Sequence, residues 1–122
     1  MNEKVFQKIY DEINNYLTPN WDKVIIYLEY GEASYSFSFY VKNGKDYTKC
    51  YDLPGVSEDS LDKSFKEIDK TVSKERNKEK TPWSNMTMVV DNRGDMHTDF
   101  DYTDLSGGTY QYKKSWKNKY LK

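Results

Sequence analysis

The stretch Trp83 to Asp104, WSNMTMVVDNRGDMHTDFDYTD, reads as two β-strands joined by a tight turn. On the first strand Met86, Met88 and Val90 share one face, and Thr87, Val89 and Asp91 the other. On the second, Met96, Thr98, Phe100 and Tyr102 alternate with His97, Asp99, Asp101 and Thr103. Period-two alternation is what a half-buried strand requires, because successive side chains point to opposite faces. Between the strands, Asn92-Arg93-Gly94 supplies residues that tolerate positive φ, so the chain reverses there. The polar side of this hairpin gathers Asp99 and Asp101, with Asp95 and Asp104 close by and little positive charge. A sheet wet on one side normally carries mixed polar residues there. A row of nearly one sign is therefore either a surface shaped for a basic partner or a solvated edge that discourages sheet-to-sheet association.

Working outward, Glu3 to Leu17 forms an amphipathic helix, with Val5, Phe6, Ile9, Ile13, Tyr16 and Leu17 on one stripe. Thr18-Pro19-Asn20 ends it, since a residue before proline is pushed out of the helical region. Trp21 to Tyr30, WDKVIIYLEY, is dense in β-branched and aromatic residues and reads as a strand. In the next, Tyr35, Phe37, Phe39 and Val41 face one way, and Ser34, Ser36, Ser38 and Tyr40 the other. Asn43-Gly44 is a strong hairpin signal, and a third strand follows from about Asp46 to Leu53, carrying Cys50. Pro54-Gly55 breaks the sheet. Ser57 then caps a helix whose Leu61, Phe65, Ile68 and Val72 make a single narrow apolar seam. Lys74 to Lys80 reads as a solvated helix end. Past the hairpin, Ser106-Gly107-Gly108 is a hinge, and Tyr112, Trp116 and Tyr120 at four-residue spacing predict a short basic helix. The order α-β-β-β-α-β-β-α implies an α+β fold, with an antiparallel sheet of about five strands and helices packed on one face.

A chain of 122 residues is expected to make one domain over 1–122. Its 19 basic and 20 acidic residues leave it near neutral, so the whole molecule is not built to embrace nucleic acid. The charge is unevenly spread. Asp91 to Asp104 is acidic, whereas Lys113, Lys114, Lys117, Lys119 and Lys122 make the tail basic. Twelve tyrosines suit a thin core and an adhesive interface equally well, and they permit a homodimer. The one cysteine excludes an intrachain disulfide and a cysteine-cluster metal site. No apolar run approaches the ~20 residues needed to span a bilayer, and no signal-peptide core is present, so a cytoplasmic protein is expected.

Catalytic signals are weak. His97 lies beside Asp99, the beginning of a general-base pair, but no serine or cysteine stands in a nucleophile-elbow context and no glycine-rich phosphate loop precedes a helix. The aspartates lack the bidentate glutamate of a calcium loop. No catalytic residue, metal or cofactor is therefore assigned. Five lysines on a short helix would bind phosphates only weakly, opposed by the nearby aspartates. Binding another protein has positive support, because acidic rows steer basic partners and aromatic residues anchor interfaces. A small metal- or nucleotide-binding regulatory domain stands as the alternative.

The series Trp21-Asp22-Lys23-Val24, Phe37-Ser38-Phe39-Tyr40, Leu53-Pro54, Pro82-Trp83, Phe100-Asp101-Tyr102 and Trp116-Lys117 resembles the YezG-like immunity proteins along almost the whole chain. The second helix is richer in lysine, and the segment after Gly108 shorter, than the family pattern. The resemblance implies a bacterial cytosolic inhibitor of a cognate toxin, commonly a nuclease delivered by a secretion or contact-dependent system. It brings no catalytic residues, and it implies a structural place for Trp21, Phe37, Phe39, Trp83, Phe100 and Trp116. The partner-contact set expected from charge alone is Asp95, His97, Asp99, Asp101 and Asp104, with Tyr40 as an exposed aromatic on the serine face. Tyr102 falls with the core face by alternation. Reversing Asp99 and Asp101 to lysine is expected to weaken partner binding without unfolding the chain.

Overall fold

Each strand is placed by the residues it must bury. In a computed structural model describing residues 1–122, the order is α1 (Glu3–Asn14), β1 (Lys23–Tyr30), β2 (Tyr35–Asn43), β3 (Asp46–Lys49), α2 (Glu58–Arg76), β4 (Asn85–Asp91), β5 (Met96–Asp101) and α3 (Tyr110–Tyr120), with a short 3-10 turn at Cys50–Asp52. All five strands form one antiparallel sheet in the order β3-β2-β1-β4-β5. The α+β class and element order are those expected. β1 is central because Val24 through Leu28 is apolar without interruption, and every one of these residues is buried.

Val24, Ile26 and Leu28 of β1 join Phe37, Phe39 and Val41 of β2 and Met86, Met88 and Val90 of β4 on one face. Two helices cover it. Asn2 caps α1, its side chain accepting the Val5 N–H at 3.2 Å, and Val5, Ile9 and Ile13 turn inward. Ser57 caps α2 by accepting the Ser60 N–H at 3.1 Å, and Leu61, Phe65, Ile68 and Val72 are the seam that buries. Cys50 sits in the 3-10 turn rather than in β3, fully buried in this core, and burial pushes its thiol pKa up. The acidic-basic run at the end of α2 is not wholly solvated. Arg76 Nε donates to the Trp83 carbonyl at 2.7 Å, and its guanidinium lies 4.7 Å from the Tyr30 ring centroid, tying α2 to the approach of β4.

The helices do not all lie on one face. Ile25 and Tyr27 point away from the main core and pack against Trp116, so α3 lies on the opposite side of the sheet. The physical reason is in β1: a strand buried on both sides needs cover on both sides. Trp116 fits there edge-on to Tyr27, with ring centroids 5.0 Å apart, and its indole N–H donates to Thr87 Oγ1 at 2.8 Å.

Two turns refine the sequence reading. Asn43 pairs with Asp46, leaving Gly44 and Lys45 as the loop, and positive φ occurs at Gly44 (64°) but not at Lys45. That is the pattern of a type II′ turn, not of the I′ turn for which Asn-Gly is the usual signal. In the β4–β5 hairpin only Gly94 takes positive φ, 88°, while its N–H reaches the Asp91 carbonyl at 3.0 Å.

Candidate partner-binding surface

β5 is an edge strand, so its acidic residues run along a border of the molecule. At ~3.4 Å per residue, the border from Asp95 at the hairpin to Asp101 at the strand's end runs ~20 Å, and Asp104 follows beyond it. His97, Asp99 and Asp101 lie between Asp95 and Asp104, on the face that α3 covers.

That face is partly roofed. Tyr120 donates its hydroxyl proton to Asp99 Oδ2 at 2.6 Å. The Tyr112 hydroxyl lies 2.8 Å from Asp101 Oδ2 and 2.9 Å from Asn85 Oδ1. Its single proton can serve only one of them, and the charged carboxylate is the stronger acceptor. A cavity of about 290 Å³ remains between α3 and β5, lined by both carboxylates and Lys119. His97 Nε2 is 2.9 Å from Asp99 Oδ1 and largely exposed.

The carboxylates are held in their charged form. The Tyr120 hydrogen bond is the main reason that the Asp99 pKa is lowered, helped by His97. At Asp101 burial works the other way, but bonds from the Thr103 hydroxyl and N–H and from Tyr112 outweigh it, so its pKa is also lowered. Asp104 is lowered by Ser106, whose N–H it accepts at 2.9 Å. Conversely, burial and the Asp99 bond push the Tyr120 hydroxyl up to about 12.

Three sequence expectations change here. Asp99 and Asp101 are structural partners of α3 as well as surface charges, so reversing them would strike the fold. Tyr40 is half-buried, its ring centroid 5.7 Å from Trp116, and β1 and β4 separate its strand from β5. Tyr102 lies beyond the last residue of β5 and is 54% exposed, so alternation no longer governs it. Of the aromatics assigned structural places, Phe37, Phe39, Trp83 and Trp116 are buried, while Trp21 is half-buried and Phe100 is 38% exposed. Phe100 leans on Trp83 at 5.7 Å, but its strand lies at the margin of the helix layer. Met96, Phe100 and Tyr102 are thus exposed large apolar side chains, with Met96 and Phe100 on the sheet face opposite the carboxylates. Arg93 was also missed: it stands 3.5 Å from Asp91 and 3.9 Å from Asp95, offsetting charge at the hairpin. No three His, Cys, Asp or Glu side chains converge as a metal site would require, and no helix is long and apolar enough to cross a membrane.

The model of the family described as "Immunity protein YezG-like" matches residues 2–122. The chain belongs to the YezG-like immunity protein family. Among its relatives, Immunity protein YezG of Bacillus spizizenii is 27% identical over 113 residues, covering 83% of this chain and 68% of the relative. Immunity protein YezG of Bacillus subtilis is 23% identical over 112 residues, covering 84% of this chain and 74% of the relative. Immunity proteins of this bacterial family are non-enzymatic and bind cognate toxins.

Proposed function

We propose that this immunity protein acts in the cytoplasm, where it neutralises a toxin that is a basic nuclease domain by binding it one-to-one over its active site or substrate groove. The supporting observation is the β5 border, which presents carboxylates kept ionised by hydrogen bonds on one face of the strand and exposed Met96 and Phe100 on the other. A nuclease site is cationic because its substrate is polyanionic, so an acidic border both steers toward it and competes for it. The apolar side chains give such a contact a desolvated centre.

The test is co-expression with the products of the reading frames adjacent to the gene, in search of one that is toxic when expressed alone. Rescue of growth and a stable one-to-one complex with a nucleic-acid-cleaving domain are expected. Asp95→Lys with Asp104→Lys reverses charge at both ends of the border while sparing the bonds to α3. That variant should stay folded and bind on the order of tenfold more weakly. Unchanged affinity would remove the acidic border from the interface.

A further inference from the structure

The two borders of the sheet are treated differently. β3 is four residues long, with Lys45 just before it and Lys49 as its last residue, the usual ways of blunting an edge. β5 is longer, at six residues, contains neither lysine nor proline, and pairs with β4 in one unbroken register. The Asp91 N–H bonds the Asp95 carbonyl, and Asp91 to Asp101 pairing continues in register from there, so the odd-numbered residues of β5 direct their backbone groups to β4. By alternation, Met96, Thr98 and Phe100 direct their N–H and C=O groups outward, where nothing in the chain pairs with them. The side chains of Met96 and Phe100, 39% and 38% exposed, flank this open ladder on the α1/α2 side, and Asp99 and Asp101 flank it on the other.

We infer that the toxin supplies an extended segment that adds to the sheet as a sixth strand alongside β5. This inference rests on the toxin-binding reading above and specifies its mode. Main-chain hydrogen bonds would supply affinity, and alternate side chains would supply specificity. The segment carries lysine or arginine toward Asp99 and Asp101 and apolar residues toward Met96 and Phe100. Charge decides against a second copy of this chain as the occupant. In a two-fold antiparallel pairing with the faces aligned, Thr98 opposite itself sets Asp95 against Asp101. The adjacent registers set Asp95 against Asp99, or Asp99 against its own copy. Like charges directly opposite are destabilising, whereas a basic strand turns each of those positions into an attraction.

The probe is the toxin identified by that co-expression, in a catalytically dead form, with amide hydrogen exchange followed residue by residue on the full chain. In the free protein the amides of Met96, Thr98 and Phe100 exchange quickly, while those of His97 and Asp99 are slowed by the ladder. In the complex the outward amides become protected. Thr98→Pro removes one outward N–H and none from the ladder, a place where edge strands accept proline. It weakens binding on the order of tenfold to a hundredfold. Should that variant fail to fold, the exchange pattern of the wild-type chain decides alone. A complex that leaves the outward amides exchanging at their free rates overturns strand addition while leaving toxin binding intact. Protection already present in the free chain, rising with its concentration, shows a homodimer at this edge and overturns the proposal as well. No complex at all defeats both the function and this mode of it.

Discussion

Trp116 is the residue on which the second face of the sheet depends. Its ring fills the space over Ile25 and Tyr27, and its N–H satisfies the Thr87 hydroxyl, which is only 2% exposed. Trp116→Phe keeps much of the apolar contact but removes the donor to that hydroxyl, which borders the cavity between α3 and β5. A loss of about 0.5–1.5 kcal/mol is expected for the lost bond, read as a lower urea midpoint at unchanged m-value. An equal midpoint would mean that the Trp116–Thr87 bond adds nothing to stability. At Asp99 and Asp101 the same reasoning separates fold from function. Each carboxylate has lone pairs to spare after meeting its tyrosine, so one residue can hold α3 and still face a partner.

At the scale of the element, α3 is a basic aromatic helix held to an acidic strand by phenol-carboxylate bonds, and its docking depends on pH at both extremes. Asp99 and Asp101 have lowered folded pKa values. Their contribution is therefore present above the unfolded carboxylate value of about 4 and is lost as pH falls through the depressed folded values. Tyr120 has a raised pKa, pushed up to about 12. Its contribution is present below the unfolded tyrosine value of about 10 and is lost as pH climbs from there through the folded value. Trp116 fluorescence should accordingly report α3 loosening below about pH 4 and again above about pH 10. With Asp99→Asn and Asp101→Asn together, the acid limb should flatten. An acid limb that persists in that double variant would place the pH dependence elsewhere in the molecule.

For the whole molecule, near-zero net charge conceals a separation. The lysines of α3 lie over the same sheet face as the carboxylates of β5, so the acidic field is confined to the border and falls off within about a Debye length, ~10 Å at 0.1 M salt. Association with a basic toxin should therefore slow as salt rises while dissociation changes little, because rim charges act mainly on encounter. Stopped-flow association rates across 50–500 mM salt should fall by on the order of tenfold or more. A flat profile would show that charge does not guide the encounter. Dissociation should respond instead to Met96 and Phe100, the desolvated part of the contact.

The sequence by itself determined the element order and the main core. Periodicity is local, and Phe37, Phe39, Met86, Met88 and Val90 announce their face through nothing but spacing. The family was legible for a related reason, since scattered aromatics such as Trp83 and Trp116 are required by packing. The acidic row was legible too, as composition. Only the tertiary structure decided that the row lies on a free edge, because strand order depends on which hairpins meet across the sheet. It also decided that α3 returns to the second face, placing Tyr112 and Tyr120 on Asp101 and Asp99, residues 11 and 21 positions away in the chain. A hint was present in β1, where Val24 to Leu28 is apolar at odd and even positions alike. Such a strand requires cover on both faces, but its own sequence does not say which distant segment provides it.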